Sequence, residues 1–173
     1  MKKIAKFEKV SFKEFKKGYL KNIDPNEIDE GVIKELYEAI KLPKRATKGS
    51  AGYDFFTPCR LILKPGRMAI VPTGIRVRID EGWVLKLYPR SGLGFKYGMQ
   101  LRNTVGIIDS DYYYSDNEGH IFAKIKNCSK QDFDLIKLGA GDAFMQGVFV
   151  EYGITYDDDT TEIRNGGFGS TSK

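Results

Sequence analysis

From residue 49 onward the chain consists of short alternating runs separated by glycine-containing turns, and this pattern restricts the fold more than any other feature. Ile75–Ile79 has an apolar residue at every second position, residues 80–82 (DEG) form a turn, and alternation resumes over Trp83–Tyr88. Further strands are predicted at 120–127, 133–138 and 143–152. Many short strands at close spacing are typical of an antiparallel sandwich, jelly roll or closed barrel. The sequence therefore predicts an all-β fold.

The residues before position 49 follow a different pattern. Ile4–Val10 is a short strand candidate, and Ser11 opens the capping-box sequence SFKE, which predicts a helix. A second helix is predicted to begin at residues 24–27 (DPNE), where an acidic cap precedes a proline. Its apolar stripe is predicted to be Ile28, Val32, Leu36 and Ile40. We expect residues 1–41 to form a strand and a helical extension packed on the β core.

The scarcity of histidine and cysteine excludes several kinds of site. The chain contains one histidine, His120, and two cysteines, Cys59 and Cys128, at positions that match no zinc-ligand spacing. A Ser-His-Asp triad has one histidine to draw on, beside a glycine in a predicted turn, and two distant cysteines form no disulfide framework. Any catalysis is therefore expected to rely on carboxylates, hydroxyls, Arg or Lys side chains, backbone groups or a hard metal ion.

The positive charge is confined to one part of the sequence. Of 28 Lys and Arg residues, 13 lie within residues 1–48 against 8 Asp and Glu, whereas the remainder of the chain is balanced. We interpret this as a solvated Lys-rich helical face, and expect no direct binding to nucleic acid. No apolar run approaches the roughly 18 residues of a membrane helix, and no signal peptide is evident. The expected location is the cytoplasm, without membrane attachment.

Five polar, glycine-rich segments interrupt the predicted strands. They are GSAGYD (49–54), PRSGLG (89–94), NTVGIIDSDY (103–112), GDAFMQ (141–146) and GGFGST (166–171). Each segment alone is also typical of turns. Together and in this order, from LPKRAT (42–47) to residue 171, they resemble the trimeric deoxyuridine triphosphatase (dUTPase) family, including its bacterial and phage members.

The resemblance implies a fold, an assembly and a reaction. It implies a jelly-roll-like β domain at 42–163, with the N-terminal helical segment added to it. It also implies a mobile C-terminal arm at 164–173 that closes the active site. The assembly is a homotrimer whose sites are shared between chains. The reaction is Mg²⁺-dependent hydrolysis of dUTP to dUMP and pyrophosphate by attack of water on the α-phosphorus, which limits uracil incorporation into DNA and supplies dUMP.

The same resemblance assigns roles to individual residues. Asp109 is the implied catalytic carboxylate that orients and deprotonates the water, and Asp54 is the implied Mg²⁺ partner, acting through metal-bound water. The implied substrate-binding residues are Arg90, Ser91, Gly92, Asn103, Gly106, Ile107, Ile108, Tyr112, Gln146, Arg164, Phe168, Gly169 and Ser170.

Physical chemistry agrees with these roles. A guanidinium and a hydroxyl, as at Arg90 and Ser91, hold phosphate oxygens. Backbone groups of 106–108 can pair with a uracil edge and reject cytosine, Tyr112 can pack against deoxyribose, and Phe168 can stack over the base. Asp111, two residues after Asp109, is expected on the opposite face of an extended segment, so the two carboxylates are not expected to act as a pair.

Two departures from the family pattern leave questions open. Six residues (YYSDNE, 113–118) precede Gly119 where the family usually has one, and Arg164 lies four residues before Phe168 where five is common. The alternative functions are a dCTP deaminase of the same fold, and a regulator that uses this scaffold to bind a partner protein. The DSDY sequence at 109–112 and the complete arm favour the hydrolase.

Overall fold

The computed structural model describes residues 2–21, 28–162 and 164. The strands within them are β1 Ala5–Lys9, β2 Lys44–Arg45, β3 Tyr53–Phe56, β4 Leu61–Leu63, β5 Met68–Pro72, β6 Ile75–Ile79, β7 Trp83–Pro89, β8 Gln100–Leu101, β9 Gly106–Ile108, β10 Phe122–Lys126, β11 Ile136–Leu138 and β12 Ala143–Glu151. The helices are α1 Phe12–Leu20, α2 Glu30–Glu38, α3 Ser91–Tyr97 and a 3-10 helix, Ser110–Tyr114. The expected β fold with N-terminal helices is confirmed. In this part of the chain no helix is long and apolar enough to cross a membrane.

The strands form small sheets in which every pairing is antiparallel. The largest sheet has the order β2-β3-β12-β7-β9, a second has the order β5-β10-β8, and β1-β6 and β4-β11 form pairs. Because alternate side chains point to opposite faces, each sheet contributes one apolar face to a common core. The fully buried side chains at its centre include Phe55, Leu85, Ile125, Ile136 and Phe144. Strand β7 is an interior strand of the largest sheet, hydrogen-bonded to β12 on one side and to the edge strand β9 on the other.

The N-terminal residues are built into this core. Strand β1 pairs with β6 over its whole length, from Ala5 opposite Ile79 to Lys9 opposite Ile75. Helix α1 begins after Ser11, whose Oγ accepts the backbone N–H of Glu14 at 3.2 Å, so Ser11 is confirmed as the N-cap. The reciprocal half of a capping box is absent, because the Ser11 N–H donates to Glu118 and not to Glu14. Phe15 on α1 is fully buried.

Helix α2 differs from its prediction. The expected start at residues 24–27 lies outside the described residues, but Asp29 is extended (φ −70°, ψ 141°) and its carboxylate accepts the N–H of Gly31 at 2.7 Å. The helix therefore begins at Glu30, since the Asp29 cap satisfies a backbone N–H in the first turn of the helix. The predicted stripe is wrong at Val32, which is 45% exposed, whereas Ile33 is 1% exposed. The buried or partly buried stripe is Ile33, Leu36, Tyr37 and Ile40.

Two other segments also differ from expectation. The segment at 89–94, expected as a glycine-rich loop, contains the first residues of α3. The strand expected at 133–138 is shortened to β11, and Phe133 is 80% exposed. Strands β2, β4, β8 and β9 have two or three residues each, too few for an alternating pattern to distinguish them from loops.

His120 is fully buried beneath α1. Its Nε2 accepts the backbone N–H of Gly74 at 2.9 Å, whereas its Nδ1 has no hydrogen-bond partner among the described residues. A Cβ at Gly18 would lie 2.8 Å from both His120 Cε1 and Phe122 Cζ, so glycine lets α1 approach the imidazole closely. Burial lowers the pKa of His120 to about 4, because the charged imidazolium is poorly solvated there.

The buried imidazole predicts a pH dependence of stability. The pKa of an unfolded histidine is about 6.5, so between pH 6.5 and 4 the unfolded chain binds a proton that the folded chain does not. We expect the free energy of unfolding to fall as the pH decreases through this range, by about 3 kcal/mol for His120. The pKa of His120 can be measured directly by NMR titration, since the chain has one histidine. A midpoint near 6.5 in the folded protein would contradict the expected burial effect.

Packing of the N-terminal extension against β6 can be tested at Gly74. Gly74 and Gly66 both have positive φ, +69° and +74°, but a Cβ at Gly74 would collide with Ile40 and lie 3.1 Å from Phe15, whereas nothing lies within 4 Å of one at Gly66. Both alanine variants lose about 1–2 kcal/mol from the left-handed backbone. We expect Gly74→Ala to lose about 1–3 kcal/mol more from overpacking, measured by urea denaturation. Equal losses would show that the extension does not pack there.

Candidate active site

Asp54, Arg90 and Gln146 form one polar cluster at the ends of three neighbouring strands. Asp54 on β3 lies opposite Gln146 on β12, which lies opposite Tyr88 on β7. Arg90 follows β7, and its Nε is 3.4 Å from Asp54 Oδ1. A Cβ at Gly52 would lie 2.5 Å from Gln146 Oε1, so glycine makes room for the Gln146 amide. We call these three residues the Asp54 cluster.

Arg90 and the residues after it present polar groups at the surface. Arg90 is the residue before α3, and its backbone N–H donates to the carbonyl of Phe144 at 3.2 Å. Its side chain is 45% exposed, and Ser91 and Gly92 are exposed as well. An anchored backbone with an accessible guanidinium and hydroxyl is suited to binding phosphate oxygens.

A small pocket lies between the large sheet and the β5-β10-β8 sheet. Its lining residues are Leu87, Leu101, Asn103, Gly106, Ile108, Phe122, Ala123 and Met145. The pocket thus contains Asn103, Gly106 and Ile108 from the predicted base-binding segment, while the side chain of Ile107 between them is half exposed. A Cβ at Gly106 would lie 3.0 Å from Leu87 Cβ, so the backbone of β9 approaches β7 more closely than a larger residue allows.

Asp109 directly follows β9, and its carboxylate is half exposed. Arg164 binds it through Nη2 at 2.7 Å and binds Asp111 through Nε at 2.9 Å. The expectation that Asp111 faces away from Asp109 is therefore wrong. Even in an extended strand, residues two apart share a face, so alternation never supported that expectation. In the structure the chain enters the 3-10 helix immediately after Asp109, and one guanidinium reaches both carboxylates. Asp109, Asp111 and Arg164 form what we call the Asp109 cluster.

Arg164 contacts carboxylates in this structure. Its side chain is 16% exposed, and its guanidinium carbon lies 5.7 Å from the centroid of the Tyr112 ring. One cation between two carboxylates offsets part of their mutual repulsion. The other predicted arm residues, Phe168, Gly169 and Ser170, lie outside the described residues.

Tyr112 is held by its hydroxyl. The hydroxyl donates to the carbonyl of His120 at 2.8 Å and accepts from Asn117 Nδ2 at 2.8 Å. Burial raises the pKa of Tyr112 to about 12. Because the hydroxyl is engaged by these two contacts, any contribution of Tyr112 to a ligand comes from its ring.

The two clusters lie at opposite ends of β7. Leu85 is opposite Ile108 on β9, which places Asp109 level with Val84, whereas Arg90 follows the other end of the strand. At about 3.3 Å per residue, six residues separate the two levels by about 20 Å. One chain therefore brings Asp54, Arg90 and Gln146 together but does not bring Asp109 to them.

Several residues around the Asp109 cluster were not anticipated from the sequence. Asn117 supports the Tyr112 hydroxyl, and Tyr113 hydrogen-bonds to Glu8 and Arg76, more than 35 residues away in the chain. Long-range contacts of this kind leave no periodic signal. The available local signal was the Asn117-Glu118-Gly119 sequence, which is typical of a tight turn.

Comparison with known proteins shows the family to which the chain is similar. A family model described as dUTPase matches residues 38–172. The deoxyuridine 5'-triphosphate nucleotidohydrolase of Lactococcus lactis is 39% identical over 145 residues, 82% of this chain and 95% of the relative. That of Paraburkholderia xenovorans is 41% identical over 139 residues, 77% of this chain and 90% of the relative.

Solved structures of dUTPases share the fold. The dUTPase from Streptococcus mutans superposes with a TM-score of 0.62 at 35% identity, over 86% of this chain and 97% of that one. A dUTPase from phage phi11 of S. aureus, with a coordinated structural Mg(II) ion, gives a TM-score of 0.59 at 26% identity, over 72% of this chain and 92% of that one. Sequence, motif order and fold thus agree: the chain belongs to the dUTPase family.

Proposed function

We propose that this dUTPase hydrolyses dUTP to dUMP and pyrophosphate with Asp109 as the group that orients the attacking water. The observation that carries the proposal is the position of Asp109, whose half-exposed carboxylate directly follows β9, the strand of the predicted base-binding segment. A uracil bound at the edge of β9 leaves the rest of the nucleotide to extend toward solvent, past the Asp109 carboxylate. The named relatives act on dUTP.

In the proposed reaction Asp109 positions a water molecule against the α-phosphorus and accepts its proton. The water oxygen forms a bond to the α-phosphorus. At the same time the bond from the α-phosphorus to the oxygen that bridges to the β-phosphorus breaks, and the electron pair of that bond leaves with pyrophosphate. A carboxylate is a weak base, but phosphoryl transfer passes through a loose transition state that needs little activation of the nucleophile. The main contributions are positioning and charge neutralisation.

Base selection is assigned to β9 and the turn before it. The backbone of Gly106, Ile107 and Ile108, with Asn103, offers fixed donors and acceptors to the uracil edge. Cytosine would place an amino donor where uracil has an acceptor, which leaves buried polar groups unpaired. The ring of Tyr112 is assigned to packing against deoxyribose, where a 2′-hydroxyl would not fit.

The triphosphate is assigned to the Asp54 cluster. Arg90, Ser91, Gly92 and Gln146 would hold its oxygens. The described residues contain no group of three acidic, His or Cys side chains that could hold a metal alone. This fits Mg²⁺, which retains water ligands and binds mainly to substrate phosphates, so that Asp54 suffices as the protein partner. When bound, Mg²⁺ neutralises phosphate charge.

A complete site requires more than one chain, and we propose a homotrimer. The distance of about 20 Å along β7 separates the Asp109 cluster from the phosphate-binding residues of the same chain. Large apolar side chains also remain about half exposed, among them Ile62 and Met68, as expected of surfaces that pack in an assembly. The domain of residues 42–163 would supply these surfaces. Residues 164–173 would close a site, with Phe168 over the base and Gly169 and Ser170 at the phosphates.

The free thiols suggest where the enzyme works. Cys59 and Cys128 are not joined by a disulfide. Unpaired cysteines are typical of a reducing compartment, and we place the reaction in the cytoplasm. There it would limit uracil incorporation into DNA and supply dUMP.

The role of Asp109 predicts a selective loss of activity. Asp109→Asn is nearly isosteric but cannot accept a proton, so we expect hydrolysis of dUTP to fall at least about 10²-fold with the fold intact. The matched control is Asp116→Asn, an exposed carboxylate on the same loop, which should stay near wild type. Release of pyrophosphate is the measurement, and an ammonia assay with dCTP tests deamination. Wild-type turnover in Asp109→Asn would remove this residue from the mechanism.

The contributions of the Tyr112 ring and of its hydroxyl can be tested separately. Tyr112→Phe loses two hydrogen bonds, so we expect a stability loss of about 1–2 kcal/mol with the preference for dUTP over UTP retained. Tyr112→Leu removes the flat ring, and the preference should fall about 10-fold. The ratio of kcat/KM for the two nucleotides is the measurement. An unchanged ratio in the leucine variant would contradict the packing role.

A further inference from the structure

The 3-10 helix that follows Asp109 is attached to the N-terminal extension at two points. The first is Tyr113, the fourth of the five residues in that helix. Its hydroxyl donates to Glu8 Oε2 at 2.6 Å and accepts from Arg76 Nη2 at 2.6 Å, and the Arg76 guanidinium carbon lies 4.2 Å from the centroid of its ring. Glu8 and Arg76 are directly opposite in the β1–β6 pairing, so Tyr113 contacts both strands at once.

The second point is Glu118, the last of the six residues (113–118) that precede Gly119. Its two carboxylate oxygens accept from the Ser11 hydroxyl at 2.6 Å and from the Ser11 backbone N–H at 2.7 Å. Glu118 has φ +56°, a left-handed conformation that is unfavourable for glutamate. A Cβ at Gly119 would lie 2.8 Å from the Tyr112 carbonyl oxygen, so the chain returns closely against the 3-10 helix. The double contact to Ser11 stabilises this strained turn.

Both attachments use charged acceptors. The pKa of Glu8 is lowered to about 2, first by the hydrogen bond from Lys6 and then by the one from Tyr113, so Glu8 is ionised at neutral pH. The contacts of Ser11 likewise lower the pKa of Glu118 against the effect of its burial. Hydrogen bonds to ionised carboxylates are shorter and stronger than neutral ones. The attachment of the 3-10 helix is therefore strong for a partly exposed site.

Asp109 lies between two fixed elements, β9 on its N-terminal side and the 3-10 helix on its C-terminal side. It is the residue before the 3-10 helix, its backbone carbonyl accepts the N–H of Tyr112 at 3.2 Å, and its half-exposed side chain is held by Arg164 from near the end of the chain. The position of its carboxylate thus depends on where the 3-10 helix lies. Misplacement of a catalytic group by about 1 Å can cost about 10²-fold in rate.

We propose that Tyr113 and Glu118 are positioning residues, through which the N-terminal strand and helix set the location of Asp109 for attack on the α-phosphorus. The inference rests on the proposed function of Asp109. It makes the N-terminal extension part of the catalytic machinery through β1 and the start of α1, although its own side chains do not touch the substrate.

The test compares Tyr113→Phe with its neighbour Tyr114→Phe. Both variants lose one hydroxyl and keep the ring, but Tyr114 is 73% exposed. We expect Tyr113→Phe to lower kcat for dUTP about 10-fold, with KM within about twofold because base and phosphate contacts are unchanged, and Tyr114→Phe to match wild type. Glu118→Gln, which weakens the second attachment, should also lower kcat. If Tyr113→Phe fails to fold, the kcat of Glu118→Gln tests the proposal in its place. An unchanged kcat in the folded variants would overturn the proposal.

A second comparison separates positioning from general loss of structure. In the Asp109→Asn background no proton-accepting carboxylate remains to be positioned, so Tyr113→Phe should leave the residual rate unchanged. Equal losses in both backgrounds would overturn the positioning role. Full activity of Asp109→Asn alone would instead refute the proposed function, so the two failures are distinguishable. Glu8→Gln, which keeps an acceptor for Tyr113, should retain more kcat than Glu8→Ala.

Discussion

The antiparallel register of β7 is the constraint on which the rest of the structure depends. It pairs with β12 from Met145 opposite Pro89, and with β9 from Leu85 opposite Ile108. The first pairing places Gln146 and Asp54 beside the end that leads to Arg90, and the second places Asp109 at the other end. Because a paired strand is extended and stiff, this separation cannot be closed by side-chain motion. The register thus supports the proposed assembly, because one chain leaves Asp109 far from Arg90 and Asp54.

The N-terminal extension is joined to the same framework. Strand β1 adds to β6, and α1 and α2 bury Phe15 and Ile33 against the core. The extension also covers His120, whose burial in neutral form has an energetic cost at low pH. An extension joined by strand pairing, apolar packing and ionic hydrogen bonds moves with the β domain. It is therefore suited to hold a loop of the active site.

Local features explain where prediction from the sequence succeeded. The N-cap role of Ser11 and the alternation of Ile75–Ile79 depend on neighbouring residues, so they were predicted correctly. The start of α2 was missed because two acidic caps compete, and Asp29 is the one that accepts the N–H of Gly31. The relation of Asp109 to Asp111 was predicted wrongly because residues two apart share a face in a strand, and because a five-residue 3-10 helix stands where the strand was assumed.

The sequence alone determined the family, the order of its polar segments and the chemistry those segments can support, since these depend on residue types and spacing. Only the tertiary structure decided which of those residues meet. It placed Asp109 and Arg90 at opposite ends of β7, and it joined Tyr113 to Glu8 across 105 positions of the chain. The physical reason is that strand register and long-range hydrogen bonds are set by packing of the whole chain, which leaves no periodic trace in any one segment.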